Sequence, residues 1–137
     1  ALAAKIYENH KKVGLDVETT KMDLSDADMV SFNTGLSDLS KVSEVVISEP
    51  MTGSQPYSLV LVRAKDAADA ADLAKEMYDN INTRKWICVE ADTKTAAYCN
   101  DIALFFMINS EYADEATTDS ILDAFRASVS GDVTVVG

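Results

Sequence analysis

Two connecting segments carry the side chains best suited to recognising a ligand. One runs from the end of a predicted strand into the next strand, and the other follows the central predicted helix. Together they supply an acid, a thioether, two aromatic rings and two cations: Glu49, Met51, Tyr57, Arg84, Lys85 and Trp86. A cationic pair beside an aromatic ring can hold an anionic or planar ligand, or a partner protein. The alternative is that Trp86 covers the end of a sheet while Arg84 and Lys85 keep the turn soluble.

The chain contains few of the residues that common catalytic sites require. Ser–His–Asp and Cys–His sites require a histidine, and the one histidine, His10, stands beside two lysines on a helix face that we expect to be exposed. The five glycines are isolated from one another and form no phosphate-binding loop. Hydrolysis by two carboxylates stays open, because spacing along the chain does not measure distance in space, and Glu49 with Glu90 is one conceivable pair. We assign no catalytic residue and expect no cofactor.

The chain is strongly acidic, with a formal net charge of −11. It lacks the basic stripe that a phosphate backbone requires, which argues against a nucleic-acid partner. An anionic membrane surface would repel it, so we expect membrane contact only through a lipid anchor that is absent from this chain. Asp23, Asp26 and Asp28 bear only a faint likeness to a calcium loop. The glycine and the closing glutamate of such a loop are missing, and we predict no metal site.

The two cysteines, Cys88 and Cys99, allow two arrangements. If Thr93 and Lys94 form the turn between two strands, the cysteines lie opposite each other and a cross-strand disulfide is sterically feasible. They can equally pack as two small apolar thiols. Their spacing, in a chain with a single histidine, is not that of a metal-binding pair.

Apolar patterning predicts one α+β domain that spans residues 1–137. β-branched or continuously apolar runs indicate strands at 43–49, 57–64, 86–91, 95–99 and 102–108. Apolar residues at spacings of three and four indicate helices at 1–13, 25–35, 66–81 and 117–129, the second of which carries Met29, Val30 and Phe32. An acidic connector covers 18–28, and the tail V-T-V-V has the composition of a short strand that docks on a sheet edge.

These elements give the order ααββαβββα, in three parts: N-terminal helices and acidic linker (1–42), sheet with central helix (43–108), and C-terminal helix and tail (109–137). We predict a single, mainly antiparallel sheet with helices packed chiefly on one face, and a ferredoxin-like arrangement as its nearest relative. Following the chain direction, the connections at 50–56, 82–85 and Asn100–Asp101 should meet at one end of the sheet. That meeting would bring the ligand-recognition residues together.

Residues 49–91 resemble a family of small exported lipoproteins from Clostridia-like Gram-positive bacteria, catalogued as a domain of unknown function. The resemblance rests on E-P-M at 49–51, Y-S-L-V-L-V-R at 57–63 and R-K-W-I-C-V-E-A at 84–91, and extends more loosely through I-A-L-F-F-M-I at 102–108, so that it covers about half of the chain. It implies a location rather than a reaction. Members carry an export signal and a lipid-modified cysteine ahead of the domain, which implies a domain anchored at the outer cell surface, and the resemblance supplies no catalytic residues.

Three hypotheses about function follow. The first is a non-catalytic binding or accessory domain at the cell surface, whose partner is an unknown protein or a small ligand. The second is a carboxylate-dependent hydrolase acting on cell-wall glycans, which requires two acids facing each other across a cleft. The third is an intracellular regulatory domain, which fits if the gene encodes no export signal. The chain begins at Ala1 without methionine, inside a predicted helix, as a trimmed chain would.

Overall fold

The computed structural model describes Lys5, Ile6, Glu8 and the ranges 17–37, 39–50, 57–81, 91–112, 117–129 and 131–136. Its strands are β1 (Val17–Lys21), β2 (Val42–Pro50), β3 (Tyr57–Ala64), β4 (Thr93–Cys99), β5 (Ile102–Ile108) and β6 (Thr134–Val135). Its helices are α1 (Ala27–Thr34), α2 (Ala70–Asn80) and α3 (Thr118–Ser128), with short 3-10 turns at Ala67–Asp69 and Ser110–Tyr112. The strands form one antiparallel sheet in the order β1-β2-β3-β5-β4-β6. The predicted α+β class with a single antiparallel sheet is confirmed.

The two most apolar runs of the sequence form the middle of the sheet. β3 and β5 pair along most of their lengths, with Leu61 opposite Leu104 and Val60 opposite Phe105. Nearly all side chains of both strands are buried. Since successive side chains of a strand point to opposite faces, a strand of this kind requires cover on both faces. The prediction that 57–64 is an interior strand is confirmed.

Helices provide this cover on both faces of the sheet. α1 and α2 pack with Val60 and Val62 of β3 in one apolar core. α3 packs with Leu59 and Leu61 in a second core on the other face, which Ile6 also joins. Two of the three described helices therefore share a face, as predicted, and α3 closes the other.

The central helix has the alanine-lined inner face that its sequence predicts. Ala70 and Ala74 are fully buried, together with Met77, and their small side chains allow the helix to lie close to the sheet. Asp66 caps the 3-10 turn that leads into α2, because its carboxylate accepts a hydrogen bond from the Ala68 N–H at 3.0 Å. The helix itself begins at Ala70, one short turn later than predicted.

α2 connects two parallel strands that are not neighbours. β3 and β4 are each antiparallel to β5, which lies between them. This β3–α2–β4–β5 arrangement is the split βαβ unit of ferredoxin-like folds, so the predicted relationship holds for this part of the sheet. Outside it, β2 lies beside β3, and β6 pairs with β4 at the far edge. The predicted docking of the tail on a sheet edge is confirmed.

β1 lies inside the segment that the sequence analysis interprets as an acidic connector, so that prediction is wrong for these residues. The side chains of 18–21 are all exposed, and the strand is held by its backbone pairing with β2. An edge strand with polar residues on both faces shows no apolar alternation, which is why the pattern did not reveal it.

The chain between α2 and β5 differs from the prediction in a second respect. Thr93 and Lys94 lie within β4 and pair with β5, so they do not form the predicted turn. The strand predicted at 86–91 lies outside the described residues except for its last residue, Ala91. Ala91 is not in a strand. The sequence alternates in both places, and only the pairing partner decides which residues turn.

Candidate functional site

One end of the sheet anchors the first of the two predicted ligand-recognition segments. Tyr57, Ile108 and Thr93 are cross-strand partners at this end, which we call the upper end. β2 finishes there at Pro50 and β3 begins there at Tyr57. The residues on either side of 51–56, Pro50 and Tyr57, therefore both lie at the upper end.

The second segment is anchored at the same end. The Lys94 ammonium, near the start of β4, donates a hydrogen bond to the Tyr78 carbonyl oxygen at 2.7 Å and lies 4.4 Å from the centre of the Tyr78 ring. These contacts tie the last turn of α2 to the upper end of β4. Residues 82–90 are consequently bracketed by Ile81 and Ala91, which both lie near the upper end.

The structure describes two of the six predicted ligand-recognition residues. Glu49 lies at the upper end of β2 and is partly exposed. Tyr57 is fully buried, and its ring meets the ring of Phe106 edge-on with centroids 5.2 Å apart, so it supports the upper end from within the core. The other four lie outside the described residues: Met51, Arg84, Lys85 and Trp86.

The turn at Asn100–Asp101 lies at the opposite, lower end of the sheet, which corrects the prediction that it joins the other two connections. It is a tight hairpin turn with Asn100 at a φ of 54°, as its sequence predicts. The Ala64 N–H, at the lower end of β3, donates to the Asp101 carbonyl oxygen at 2.7 Å. The prediction placed two strands between α2 and this turn, whereas β4 runs parallel to β3 and reaches the lower end directly.

β1 brings a second carboxylate to the upper end, and the sequence analysis missed it. Glu18 is the direct cross-strand partner of Glu49, and side chains at directly opposed positions share a face with Cβ atoms about 4.5–5.5 Å apart. The partner considered from the sequence, Glu90, lies outside the described residues. Two carboxylates this close can attract a cation or a basic side chain, or divide acid and base roles in hydrolysis. Recognising 17–21 as a strand is the step that would have revealed the pair.

A buried hydroxyl without a hydrogen-bond partner lies near the same end. Ser58, the second residue of β3, is fully buried, and its Oγ makes no hydrogen bond within the described part of the chain. Ser58 stands opposite Met107, which stands opposite Lys94. By contrast, the equally buried Ser48 on β2 accepts a hydrogen bond from the Thr19 hydroxyl at 3.1 Å. Buried polar groups are normally satisfied, so Ser58 is an exception that calls for an explanation.

A carboxylate clamp joins the entry to β4 with the exit from β5. Asp92 accepts hydrogen bonds from both the N–H and the hydroxyl of Ser110, each at 2.7 Å. The bond from the hydroxyl is the main reason that the pKa of Asp92 lies below its ordinary value, while desolvation opposes the shift. These hydrogen bonds hold the residue before β4 against the chain that follows β5, at the upper end of the sheet.

The three aspartates considered for a calcium loop have local roles at the start of α1. Asp23 accepts hydrogen bonds from the hydroxyl and the N–H of Ser25, and these bonds lower the pKa of Asp23. Asp26 caps α1 by accepting from the Met29 N–H at 3.4 Å, and Asp28 lies in the first turn, where the helix dipole favours negative charge. Within the described ranges, no three or more His, Cys, Asp or Glu side chains are grouped so that they could hold a metal ion.

Cys99 is a free and buried thiol at the lower end of β4. The start of β4 pairs with β5 instead of forming the predicted turn, so the geometry that suggested a cross-strand disulfide is not present, and Cys88 lies outside the described residues. Burial, with Asp132 and Asp101 nearby, raises the pKa of the Cys99 thiol. A protonated, buried thiol is a poor nucleophile, which gives Cys99 a packing role.

Comparisons of this chain with protein-family models, with curated proteins and with solved structures returned no match. Among the residues that the structure describes, no helix is both long and apolar enough to cross a membrane.

Proposed function

We propose that this protein is a non-catalytic binding domain, exported and held at the cell surface by a lipid anchor, which recognises a ligand with the residues at the upper end of its sheet. The observation that carries the proposal is the bracketing of 51–56 and 82–90 by the same end of one packed sheet. Binding residues are commonly carried by connecting segments that a scaffold holds in place. The surface location rests on the resemblance of 49–91 to exported lipoproteins.

The residue types at this end suit a ligand with several kinds of groups. Arg84 and Lys85 would bind an anionic group, and Trp86 would stack on a planar or apolar part. Glu49, with Glu18 directly opposite it, would attract a cationic group. A peptide segment of another surface protein offers all three in one molecule.

Photo-cross-linking on cells that display the protein tests this proposal. A photoreactive benzophenone amino acid replaces Lys85 in one variant and Asn100, at the lower end, in a matched control. We expect a discrete adduct of higher mass from position 85 and none from position 100. Combining Arg84→Ala and Trp86→Ala with the label at 85 should abolish the adduct while circular dichroism stays that of the folded protein.

Three results would count against the proposal. One is equal labelling from positions 85 and 100, and another is an adduct that survives loss of Arg84 and Trp86. The third is an unfolded Trp86→Ala variant, which would make Trp86 a core residue. The location is tested separately: protease added to intact cells should digest the domain and spare a cytosolic marker protein.

The cross-strand pair of Glu18 and Glu49 favours a second candidate, a carboxylate-dependent hydrolase acting on cell-wall glycans. In such an enzyme one acid would protonate the leaving oxygen and the other would activate water or attack the sugar. Purified cell walls incubated with the protein should then release reducing ends, and either Glu18→Gln or Glu49→Gln should abolish the release. If both variants release as many reducing ends as wild type, Glu18 and Glu49 are not the catalytic pair.

A further inference from the structure

α1 carries apolar side chains on both of its faces, although only one face is needed for the core. Val30 and Thr34, four residues apart, are fully buried. Asp28, Met29 and Phe32 are spaced so that they share the opposite face of the helix. Val30 belongs to the core, whereas Met29 and Phe32 do not, so packing of the core does not account for the apolar residues on the outer face.

The outer apolar pair is well exposed. Met29 and Phe32 are 52% and 49% exposed, and with Val135 they are the large apolar side chains that the structure shows most open to solvent. Single exposed apolar residues are common on protein surfaces. Two large ones spaced three residues apart on the same short helix lie on one face, where a single partner segment could cover both.

Acidic residues lie at the start of the helix that carries this patch, and the cations closest to α1 in the sequence, within the described ranges, are already paired. Asp23, Asp26 and Asp28 are exposed and lie within the turn before α1 or its first turn. Lys21 pairs with Glu44 and Lys41 pairs with Asp69, at 4.0 and 3.5 Å. None of the ion pairs between described residues involves one of the three aspartates.

We propose that the outer face of α1 binds an amphipathic segment of another protein, in which lysine or arginine residues flank an apolar stripe. Met29 and Phe32 would contact the apolar stripe, and the three aspartates would face its cations. An amphipathic helix docking by residues at spacings of three and four is a recurrent mode of recognition, and methionine adapts well to such contacts.

Charge selects this occupant over two others. A second copy of the chain also carries a net charge of −11, so two acidic patches would repel each other on approach. An anionic membrane surface is disfavoured for the same reason. The inference rests on side chains of α1 and not on the residues proposed to bind a ligand at the upper end, so it does not depend on the proposed function above.

Fluorescence anisotropy with dye-labelled model peptides tests the inference. The probe is a leucine–lysine peptide of about 18 residues with one apolar stripe at helical spacing. Two matched probes are a leucine–glutamate peptide with the same stripe and a leucine–lysine peptide of scrambled order. We expect the first probe to bind most tightly, and its affinity to fall as salt is raised from about 0.05 M to about 0.5 M.

Variants of the exposed apolar residues decide where the probe binds. Phe32→Ser combined with Met29→Gln should lower the affinity at least about tenfold, as expected for loss of a central anchor. The single variant Phe32→Leu, in which Met29 is unchanged, should keep most of the wild-type affinity. Val135→Ser, which removes an apolar side chain of similar exposure at the opposite sheet edge, should leave the affinity unchanged.

Several outcomes would overturn the inference. They are absence of binding by the stripe-bearing lysine probe, equal binding by the scrambled probe, and an equal loss of affinity in Val135→Ser. Dimers of the wild-type protein in sedimentation that Phe32→Ser abolishes would assign the patch to a second copy instead. The variant positions are half-exposed, so thermal unfolding close to wild type is the control for folding, and Met29→Gln alone serves if the double variant unfolds.

Discussion

Replacing Ser58 by alanine should make the protein more stable. The Ser58 hydroxyl is fully buried and has no hydrogen-bond partner within the described ranges. Leaving a buried hydroxyl unsatisfied costs about 1–3 kcal/mol. Alanine removes that cost without breaking a hydrogen bond, although it leaves a small void and is slightly less suited to a strand. We expect the free energy of unfolding to rise by about 1 kcal/mol.

Ser48→Ala is a matched control on the neighbouring strand. Ser48 is buried to the same extent, but its Oγ accepts a hydrogen bond from the Thr19 hydroxyl at 3.1 Å. The same chemical change there breaks this bond and leaves the Thr19 hydroxyl without it. We therefore expect Ser48→Ala to lower the free energy of unfolding by about 1 kcal/mol. The two variants should shift stability in opposite directions.

Urea unfolding followed by far-ultraviolet circular dichroism measures both effects. The midpoint should rise for Ser58→Ala and fall for Ser48→Ala, with slopes equal to wild type, since neither change alters the surface exposed on unfolding. In thermal unfolding, 1 kcal/mol corresponds to a shift of about 2–5 °C for a chain of this size. A loss of stability in Ser58→Ala as large as that in Ser48→Ala would refute the reasoning, because it would mean that the Ser58 hydroxyl has a partner.

Three further changes test the scaffold. Ala74→Asp should destabilise the protein by more than about 3 kcal/mol, because it places a charge at a fully buried position; a urea midpoint close to wild type would contradict the packing of α2. Gly35→Ala should lower the free energy of unfolding by about 2–4 kcal/mol. The φ of Gly35 is +81°, and the added Cβ would lie 2.8 Å from the Ile81 backbone nitrogen. An unchanged urea midpoint would be inconsistent with this conformation of Gly35. Asp92→Asn should lower the free energy of unfolding by about 0.5–1 kcal/mol at pH 7. The lowered pKa of Asp92 means that the stability it contributes is present above its ordinary pKa and lost as the pH falls through the folded-state value. The difference in stability between the variant and wild type should therefore shrink as the pH falls below that ordinary pKa, and a constant difference would disprove the charge effect.

Part of the candidate site was open to prediction because the signals were local. The apolar run of β3 and the alanine spacing of α2 depend on neighbours a few residues away, and both elements form where expected. The same holds for the caps, where Asp26 and Gly35 begin and end α1. Local elements were enough to predict that β2 ends and β3 begins at the same end of the sheet as the last turn of α2.

Other parts depended on pairings that no local pattern reveals. β1 has exposed side chains on both faces, so only its hydrogen bonds to β2 define it and bring Glu18 opposite Glu49. The direction of β4 depended on whether Thr93 and Lys94 turn or continue, and either choice satisfies the same alternation. That one choice moved the Asn100 turn to the lower end.

By itself the sequence determined the acidic character of the protein, the interior position of the apolar strands and the inner face of α2, because composition and periodicity act over short stretches of chain. Tertiary structure decided which of the apolar residues of α1 face outward and which buried serine lacks a hydrogen-bond partner among the described residues. Burial and hydrogen bonding join residues far apart in the chain, and identical residue types such as Ser48 and Ser58 differ only in what the folded sheet places beside them.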